Sequence, residues 1–487
     1  MIGFVLLLVF ALLAFLMYLG KIPALLALPV LAFLLTFIAG VPFYFNQYPA
    51  EMSFILKFGK SILDSQHLVS STVISDGIPR LHVAILTVMI GGIFGYFLKA
   101  AGISESLVRK VAELAGDKPF VIALVLTLVV SFLFTTLGGL GAIILVANIY
   151  LPVLLSIGIP PLLIGSLFLM SISFGGIFNM VNWALYVDIL GLSQQQIMIY
   201  ALPLGVVFLV VMILFMIIEF KKARIPVPTA AVVKIFAILA TICAVFVWFK
   251  ATNPISPEMF LMLKWAYKAL LLLLFIIPAF SRKFSWIAML APFVPISLVL
   301  FLGWNINPAF LLGIIFLFIT TMNIRKSDSF SSRSKLLIQS SIEGIQGVAP
   351  AVAIMIGIGM VLIAVVQPPV SQSLSPLLNA VLPTSPAGYV IIFTILAPLA
   401  LYRGPLNLWG MGSGLMQLIK VSGLSSMSIM AAFMSTGQIQ GVCDPTNTHN
   451  VWVANQLKIE LNALLRKTLP YMWVIALCGL LLGVYVK

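Results

Sequence analysis

Charge is what this sequence has least of. Only 8% of its 487 residues are Asp, Glu, Lys or Arg, against roughly 25% in a soluble domain. Hydrophobic residues make up 62%, and the mean hydropathy is +1.19. No water-soluble fold hides that much apolar surface. Cysteine is nearly missing as well. Cys243, Cys443 and Cys478 stand far apart with no CxxC or Cys/His pairing, which excludes a disulfide framework and a zinc site and leaves them as small apolar residues. No HExxH, no Gly-x-Ser-x-Gly and no phosphate-binding loop occurs, so neither an enzyme nor an ATP-driven pump subunit is expected, and no cofactor. Acidic residues are the scarcer half of the charge, 13 against 27 basic, for a net charge of +14. That excess forms no basic stripe and no aromatic-basic interleaving, so nucleic acid is not the expected partner. Basic loops retained on the cytoplasmic side of a membrane explain it more simply.

What the sequence has in abundance is long apolar runs: Ile2 to Leu19, Val121 to Phe134, Leu202 to Ile218 and Met472 to Val486. Each approaches the roughly 20 residues that span a hydrocarbon core as a helix. Barrel strands would alternate polar and apolar with period two, and these runs are apolar on every face. The expected fold is an all-α polytopic membrane protein with about 12 to 16 apolar membrane segments. The first run lacks a basic residue before it and a small-x-small cleavage site after Leu19, so it reads as a mature helix. Residues 46 to 64 set Phe54, Ile55, Phe58, Ile62 and Leu63 among Lys57, Lys60 and Asp64, the pattern of an interfacial amphipathic helix. The absence of a targeting segment points to the inner membrane of a prokaryote.

Two parts of the chain look alike. Glu343-Gly344-Ile345 lies 267 residues after Asp76-Gly77-Ile78, and Thr468-Leu469-Pro470 lies 267 after Ala201-Leu202-Pro203. The expected organisation is N-terminal membrane helices and an interfacial segment (1–71), a first repeat (72–220), connecting helices (221–338) and a second repeat (339–487). Equivalent loops differ in charge. One carries Arg109, Lys110 and Lys118 while its counterpart, Gln367 to Pro386, carries none; later, Gly191 to Tyr200 is uncharged while its counterpart holds Lys458, Arg466 and Lys467. Basic loops stay cytoplasmic, so the two repeats have opposite orientation in the bilayer, the inverted-topology architecture of secondary transporters. Charge alone does not separate a re-entrant hairpin from two full spans.

Inside the apolar runs lie two matched pairs of Gly-rich polar breaks. The first pair is Thr135-Thr136-Leu137-Gly138-Gly139-Leu140-Gly141 and Tyr402-Arg403-Gly404-Pro405-Leu406-Asn407, the latter followed by Gly410, Gly412 and Gly414. The second runs from Ser173 through Gly175, Gly176, Asn179 and Asn182, matched by Gln438 through Gly441, Asp444, Pro445, Thr446, Asn447, Thr448, His449 and Asn450. Irregular backbone at membrane depth is tolerated only where it lines protein or water. Freed amides, the positive end of the following half-helix and neutral Thr and Asn side chains suit a carboxylate. The alternative is that the glycines merely allow close helix packing. Thr135, Thr136, Gly138, Gly139, Asn179, Asn182, Arg403, Gly404, Asn407, Thr446, Asn447, Thr448 and Asn450 are the candidate substrate-binding residues. Arg403 is read as pairing with an anionic substrate, or else as snorkelling to the cytoplasmic surface.

Asp444 is the candidate coupling carboxylate, titrating or holding a sodium ion with Asn447; it could equally cap a helix before Pro445 or pair with Arg403. His449 is a candidate proton carrier or a structural histidine. Asp188 is either a coupling acid or a solvated loop acid. His67 and His82 fall outside the breaks, and Asp76 and Glu343 read as helix-end acids near the interface.

Three further stretches carry a family resemblance: Gly92-Ile93-Phe94-Gly95-Tyr96-Phe97-Leu98, Ile159-Pro160-Pro161-Leu162-Leu163-Ile164-Gly165, and Asn447-Thr448-His449-Asn450-Val451-Trp452 with Leu457 to Leu469. They resemble the ion transporter superfamily, and within it the gluconate:proton symporter family. The resemblance implies a carboxylate or sugar-acid substrate, uptake coupled to protons or sodium, re-entrant hairpin tips with broken helices at the site, and a homodimer. The sequence departs from that family's His-containing motif around Asp444 and Pro445, which leaves citrate, lactate and dicarboxylates open beside gluconate. A cation:proton antiporter of the same architecture, with Asp444 and Asp188 exchanging the ions, is the alternative function.

Overall fold

The computed structural model describes residues 2–19, 21–114, 118–230, 232–234, 237, 240, 241, 244, 257–280, 282–322, 330–383, 385–402, 404–409, 412–421 and 423–485. Every regular element among them is a helix. The first half comprises α1 (Ile2–Tyr18), α2 (Ala24–Gln47), α3 (Phe54–His67) continuing through a π turn (Leu68–Ile74) into α4 (Ser75–Gly77), α5 (His82–Ala100), α6 (Ile103–Leu114) and α7 (Pro119–Leu133). Next come α8 (Leu140–Ser156), α9 (Pro161–Ile177), α10 (Met180–Leu190), α11 (Gln194–Lys222), α12 (Pro257–Phe280), a 3-10 helix (Arg282–Leu290), α13 (Phe293–Leu302) and α14 (Ile306–Thr321). The remainder comprises α15 (Phe330–Val366), α16 (Pro368–Val381), α17 (Pro386–Leu396) with a 3-10 turn (Ala397–Ala400), α18 (Gly412–Val421), α19 (Ser426–Cys443), α20 (Thr448–Leu457) and α21 (Leu461–Tyr485).

Six of these stretches are long and apolar enough to cross a membrane, α9 with α10 forms one bent pair, and six shorter apolar helices accompany them. That makes thirteen apolar segments among the described residues, a polytopic helical membrane protein. Backbone hydrogen bonds are closed within each helix, which is what a hydrocarbon environment demands. The helix order recurs 267 residues on. α7 begins at Pro119 and α17 at Pro386; α10 ends on left-handed Gly191 and α20 on left-handed Lys458; α11 begins at Gln194 and α21 at Leu461.

The chain forms two compact units: residues 1–89, 172–211 and 345–487 make the first, and 90–171 with 212–344 the second. The centre of the first unit is α19 packed along α21. Gly479 and Gly483 make that approach possible, because a Cβ on either would meet Ser435 or Ala431 at 2.5 and 2.7 Å, the small-residue packing common in membranes. The Tyr200 hydroxyl, fully buried, donates to the Gly479 carbonyl at 2.8 Å and lies 3.1 Å from that of Ala431. The second unit is built on aromatic contacts, Phe132 stacked on Phe293 and Phe120 edge-on to Phe220, and on Tyr150 hydrogen-bonded to Thr127 at 2.8 Å. Only 6% of the apolar window of α12 is buried, so most of its Leu, Met and Trp side chains are left exposed by the rest of the chain.

Three sequence expectations change here. The amphipathic stretch starts at Phe54 and is the first part of a helical run extending to Ala100, so its lysines begin a long helix. Asp188 is no loop acid. It sits in the last turn of α10, and its Oδ2 accepts from the Ala84 amide at 2.9 Å, closing a donor in the first turn of α5. Glu343 lies within the 37-residue α15, where it accepts from Gln339 at 2.9 Å, and is no helix-end acid.

Candidate functional site

In the first unit, α9 stops at Ile177 and α10 restarts at Met180 with a 46° change of axis. A helix end leaves carbonyls without intrahelical partners, and the residues of the next turn supply them. Asn182 Nδ2 donates to the Gly176 carbonyl at 2.9 Å and Trp183 Nε1 to that of Ile177 at 2.8 Å. Asn179 is the N-cap of α10: its backbone turns to φ −72 and ψ 120, and its Oδ1 accepts from the Val181 amide at 2.9 Å. This is the usual reason for Asn at such a position.

The break between α19 and α20 has the same construction. Asn450 Nδ2 donates to the carbonyl of the fully buried Asp444 at 2.9 Å, six residues back, as Asn182 does to Gly176. Asn447 caps α20 with φ −73 and ψ 123, nearly the geometry of Asn179. His449 Nε2 lies 3.2 Å from the Gly441 carbonyl; a carbonyl only accepts, so Nε2 carries the proton in this contact. The two breaks then diverge. Asn447 makes no side-chain cap bond, and Thr446 instead donates both its amide (2.8 Å) and its hydroxyl (2.7 Å) to Asp444 Oδ1. Asn447 Nδ2 and Asn450 Oδ1 are buried with no hydrogen-bond partner. Most buried polar atoms are satisfied, so each such atom demands an explanation. The second break therefore holds one spare donor and one spare acceptor beside a buried carboxylate.

A third break, between α17 and α18, joins them. A Cβ at Gly404 would collide with the Leu399 carbonyl, so only glycine fits the turn there. Asn407, 2% exposed, accepts the Trp409 amide on Oδ1 at 2.9 Å. The Trp409 indole N–H reaches Asn182 Oδ1 at 3.1 Å. Ser173 donates to Gln438 Oε1 at 2.8 Å, and a Cβ at Gly441 would lie 2.7 Å from the Ser173 hydroxyl oxygen. The first unit thus brings Asn182 to Trp409 and Ser173 to Gln438 and Gly441, linking three of the four sequence-identified breaks. At the far end of α10, Lys420 donates to the Leu190 carbonyl at 3.0 Å and Ser426 to the same carbonyl at 2.9 Å, a cation where the helix dipole is negative.

The fourth break belongs to the second unit. Thr135 and Thr136 are buried and donate to Phe132 and Leu133 carbonyls at 2.8 and 3.3 Å. Gly139 has φ 82, and Gly138 and Gly139 are exposed. Arg403 lies outside the described residues, as does Cys243. Thr448 opens α20 and is exposed. His67 Nδ1 is 3.2 Å from the Ser71 hydroxyl and His82 Nδ1 is 3.2 Å from the Pro79 carbonyl; both lie away from the breaks. Among the described residues no group of three or more His, Cys, Asp or Glu could hold a metal. A sodium ion at the second break would have to rest on Asp444, amide oxygens and backbone carbonyls, the hard oxygen donors such an ion takes. Trp409, Ser173, Gln438 and Lys420 were not singled out from sequence. Ser173 and Gln438 open the two polar stretches at equivalent places, a signal that was present, whereas Trp409 has the look of ordinary membrane filling.

No protein-family model matches the chain, and no curated protein matches it by sequence. Among solved structures it is similar to the crystal structure of the Alcanivorax borkumensis YdaH transporter, described as having an unusual topology. The similarity covers 94% of this chain and 98% of that one, with a TM-score of 0.54 and 13% identity. The fold of this chain is similar to the fold of that protein. The likeness extends along nearly the whole of both chains, so it concerns the architecture and not one shared motif. It concerns the fold alone and does not support the gluconate:proton symporter family in particular.

Proposed function

We propose that this chain is a secondary active transporter that carries a small organic anion, a carboxylate or sugar acid, together with a proton or sodium ion by alternating access. The observation that carries this reading is the pair of buried, partnerless polar atoms at the second break, Asn447 Nδ2 and Asn450 Oδ1, beside Asp444 and at the N-terminus of α20. A donor at the positive end of a half-helix suits an anionic oxygen, and an acceptor next to a carboxylate suits a cation. Broken helices at equivalent places in two repeats are where transporters of this build hold substrate and coupling ion. The gluconate:proton symporter resemblance rests on sequence alone and adds that carboxylates fall within the substrate range. Arg403, placed in the third break by sequence, is the candidate counter-charge for such a carboxylate, and the inner membrane of a prokaryote is the proposed location.

Uptake of labelled organic acids into proteoliposomes under imposed pH and sodium gradients tests the proposal. The expected result is gradient-driven accumulation of at least one acid, abolished by Arg403→Ala and by Asp444→Asn. Cation-driven proton efflux with no dependence on any acid overturns symport in favour of a cation:proton antiporter.

A further inference from the structure

The second unit contains a cavity of about 680 Å³ between α6, the 3-10 helix Arg282–Leu290 and the first turns of α15, independent of the transport reading above. Three cations line it: Arg109, Lys110 and Arg333. Ser106, whose hydroxyl donates to the Gly102 carbonyl at 2.8 Å, and Ser332 lie in the same walls. Arg333 is 6% exposed, and the planar fork of a guanidinium matches the geometry of phosphate oxygens. Two carboxylates, Glu105 and Glu113, also line the cavity. Glu105 is engaged by Arg109 at 2.6 Å, so the charge balance of the walls stays positive.

The remaining lining is apolar. Ile103, Met289 and Leu336 face the cavity together with Trp286, which is half exposed. The 3-10 helix carrying Trp286 follows α12, the helix with only 6% of its apolar window buried. Tryptophan in such a place marks the boundary between headgroups and acyl chains. Arg109 and Lys110 belong to one of the basic stretches that the positive-inside rule assigns to the cytoplasm, and Arg333 to another. The cavity is therefore cationic in one part, greasy in another, and located at the cytoplasmic headgroup level. Its volume is far more than a lone phosphate ion fills and falls within the ordinary range for organic ligands.

We propose that this cavity binds the phosphate of an anionic phospholipid from the cytoplasmic leaflet. Arg333 and Lys110 meet the phosphate, and Trp286 with Met289 holds the glycerol and the first acyl carbons. Basic pockets between membrane helices on that side recognise lipid headgroups by the same chemistry.

The test is native mass spectrometry of the full chain released from micelles containing equal amounts of phosphatidylglycerol and phosphatidylcholine. Retention of phosphatidylglycerol is expected to exceed that of phosphatidylcholine by about fivefold. Lys110→Gln, at an exposed site that leaves folding intact, and Ser106→Phe, which fills the cavity, should each bring the two lipids towards parity. Arg333→Gln should do the same where size-exclusion chromatography shows it folded. Equal retention of the two lipids by the unmodified chain overturns the proposal. Displacement of the bound lipid by about 10 mM inorganic phosphate, with the same variants losing phosphate binding, overturns the lipid assignment and gives the site to a soluble phosphate.

Discussion

At the residue scale, the two asparagines of the second break do different things, and that difference can be measured. Asn450 Nδ2 donates to the buried Asp444 carbonyl, so Asn450→Ala strands an acceptor and should cost about 1 to 3 kcal/mol of stability, read as a lower melting temperature in detergent. Asn447 Nδ2 has no partner to lose. Asn447→Ala should shift stability by less than about 0.5 kcal/mol. If that amide binds the anion, the same variant weakens substrate affinity by about tenfold, the worth of one hydrogen bond to a charged group. Equal loss of stability in both variants, with substrate affinity unchanged in Asn447→Ala, would mean that both side chains are structural. The sequence made these asparagines legible as a class, because polar residues in an apolar run are conspicuous. It could not say which of them was already satisfied. That depends on Thr446 taking over Asp444 Oδ1, a choice between neighbours that composition does not encode.

At the element scale, the helices were legible and their ends only partly so. The apolar runs gave α7, α11 and α21 because a hydrocarbon-spanning helix needs nothing more specific than length and grease. The amphipathic stretch around Phe54 was harder, since local pattern shows a polar face but not that the helix continues through a π turn as far as Ala100. Helix α20 carries a test of its own. It ends on Lys458 with φ 53, at the position equivalent to Gly191 with φ 73 at the end of α10. A left-handed conformation costs a residue with a Cβ about 1 kcal/mol and glycine nearly nothing. Lys458 is exposed, so Lys458→Gly loses no packing and should stabilise the protein by up to about 1 kcal/mol in thermal unfolding. A lowered melting temperature would show that the lysine side chain or its charge contributes more than the backbone strain removes.

At the scale of the whole molecule, sequence order and packing divide the chain differently. The second repeat lies in the first compact unit apart from residues 339–344, whereas the first repeat contributes to both units. An offset in sequence reveals helix order, because that is a property of the chain read end to end. It cannot reveal that α5, α9, α11 and α15 each supply residues to two units, since that partition is made by contacts between segments hundreds of residues apart. The expected inversion of the repeats has its own physical ground. It rests on Lys118 after α6 and on Arg109 and Lys110 within α6, against a counterpart around α16 that carries no charge, and positive charge near helix ends resists translocation. Single cysteines at Lys118 and Gln372, both exposed, in a chain otherwise freed of cysteine, should label from opposite faces of sealed, oriented vesicles. An impermeant thiol reagent applied outside right-side-out vesicles should modify Gln372→Cys and spare Lys118→Cys, with the pattern exchanged in inside-out vesicles. Labelling of both from the same face would give the repeats one orientation, and the asymmetry of loop charge would then need another cause.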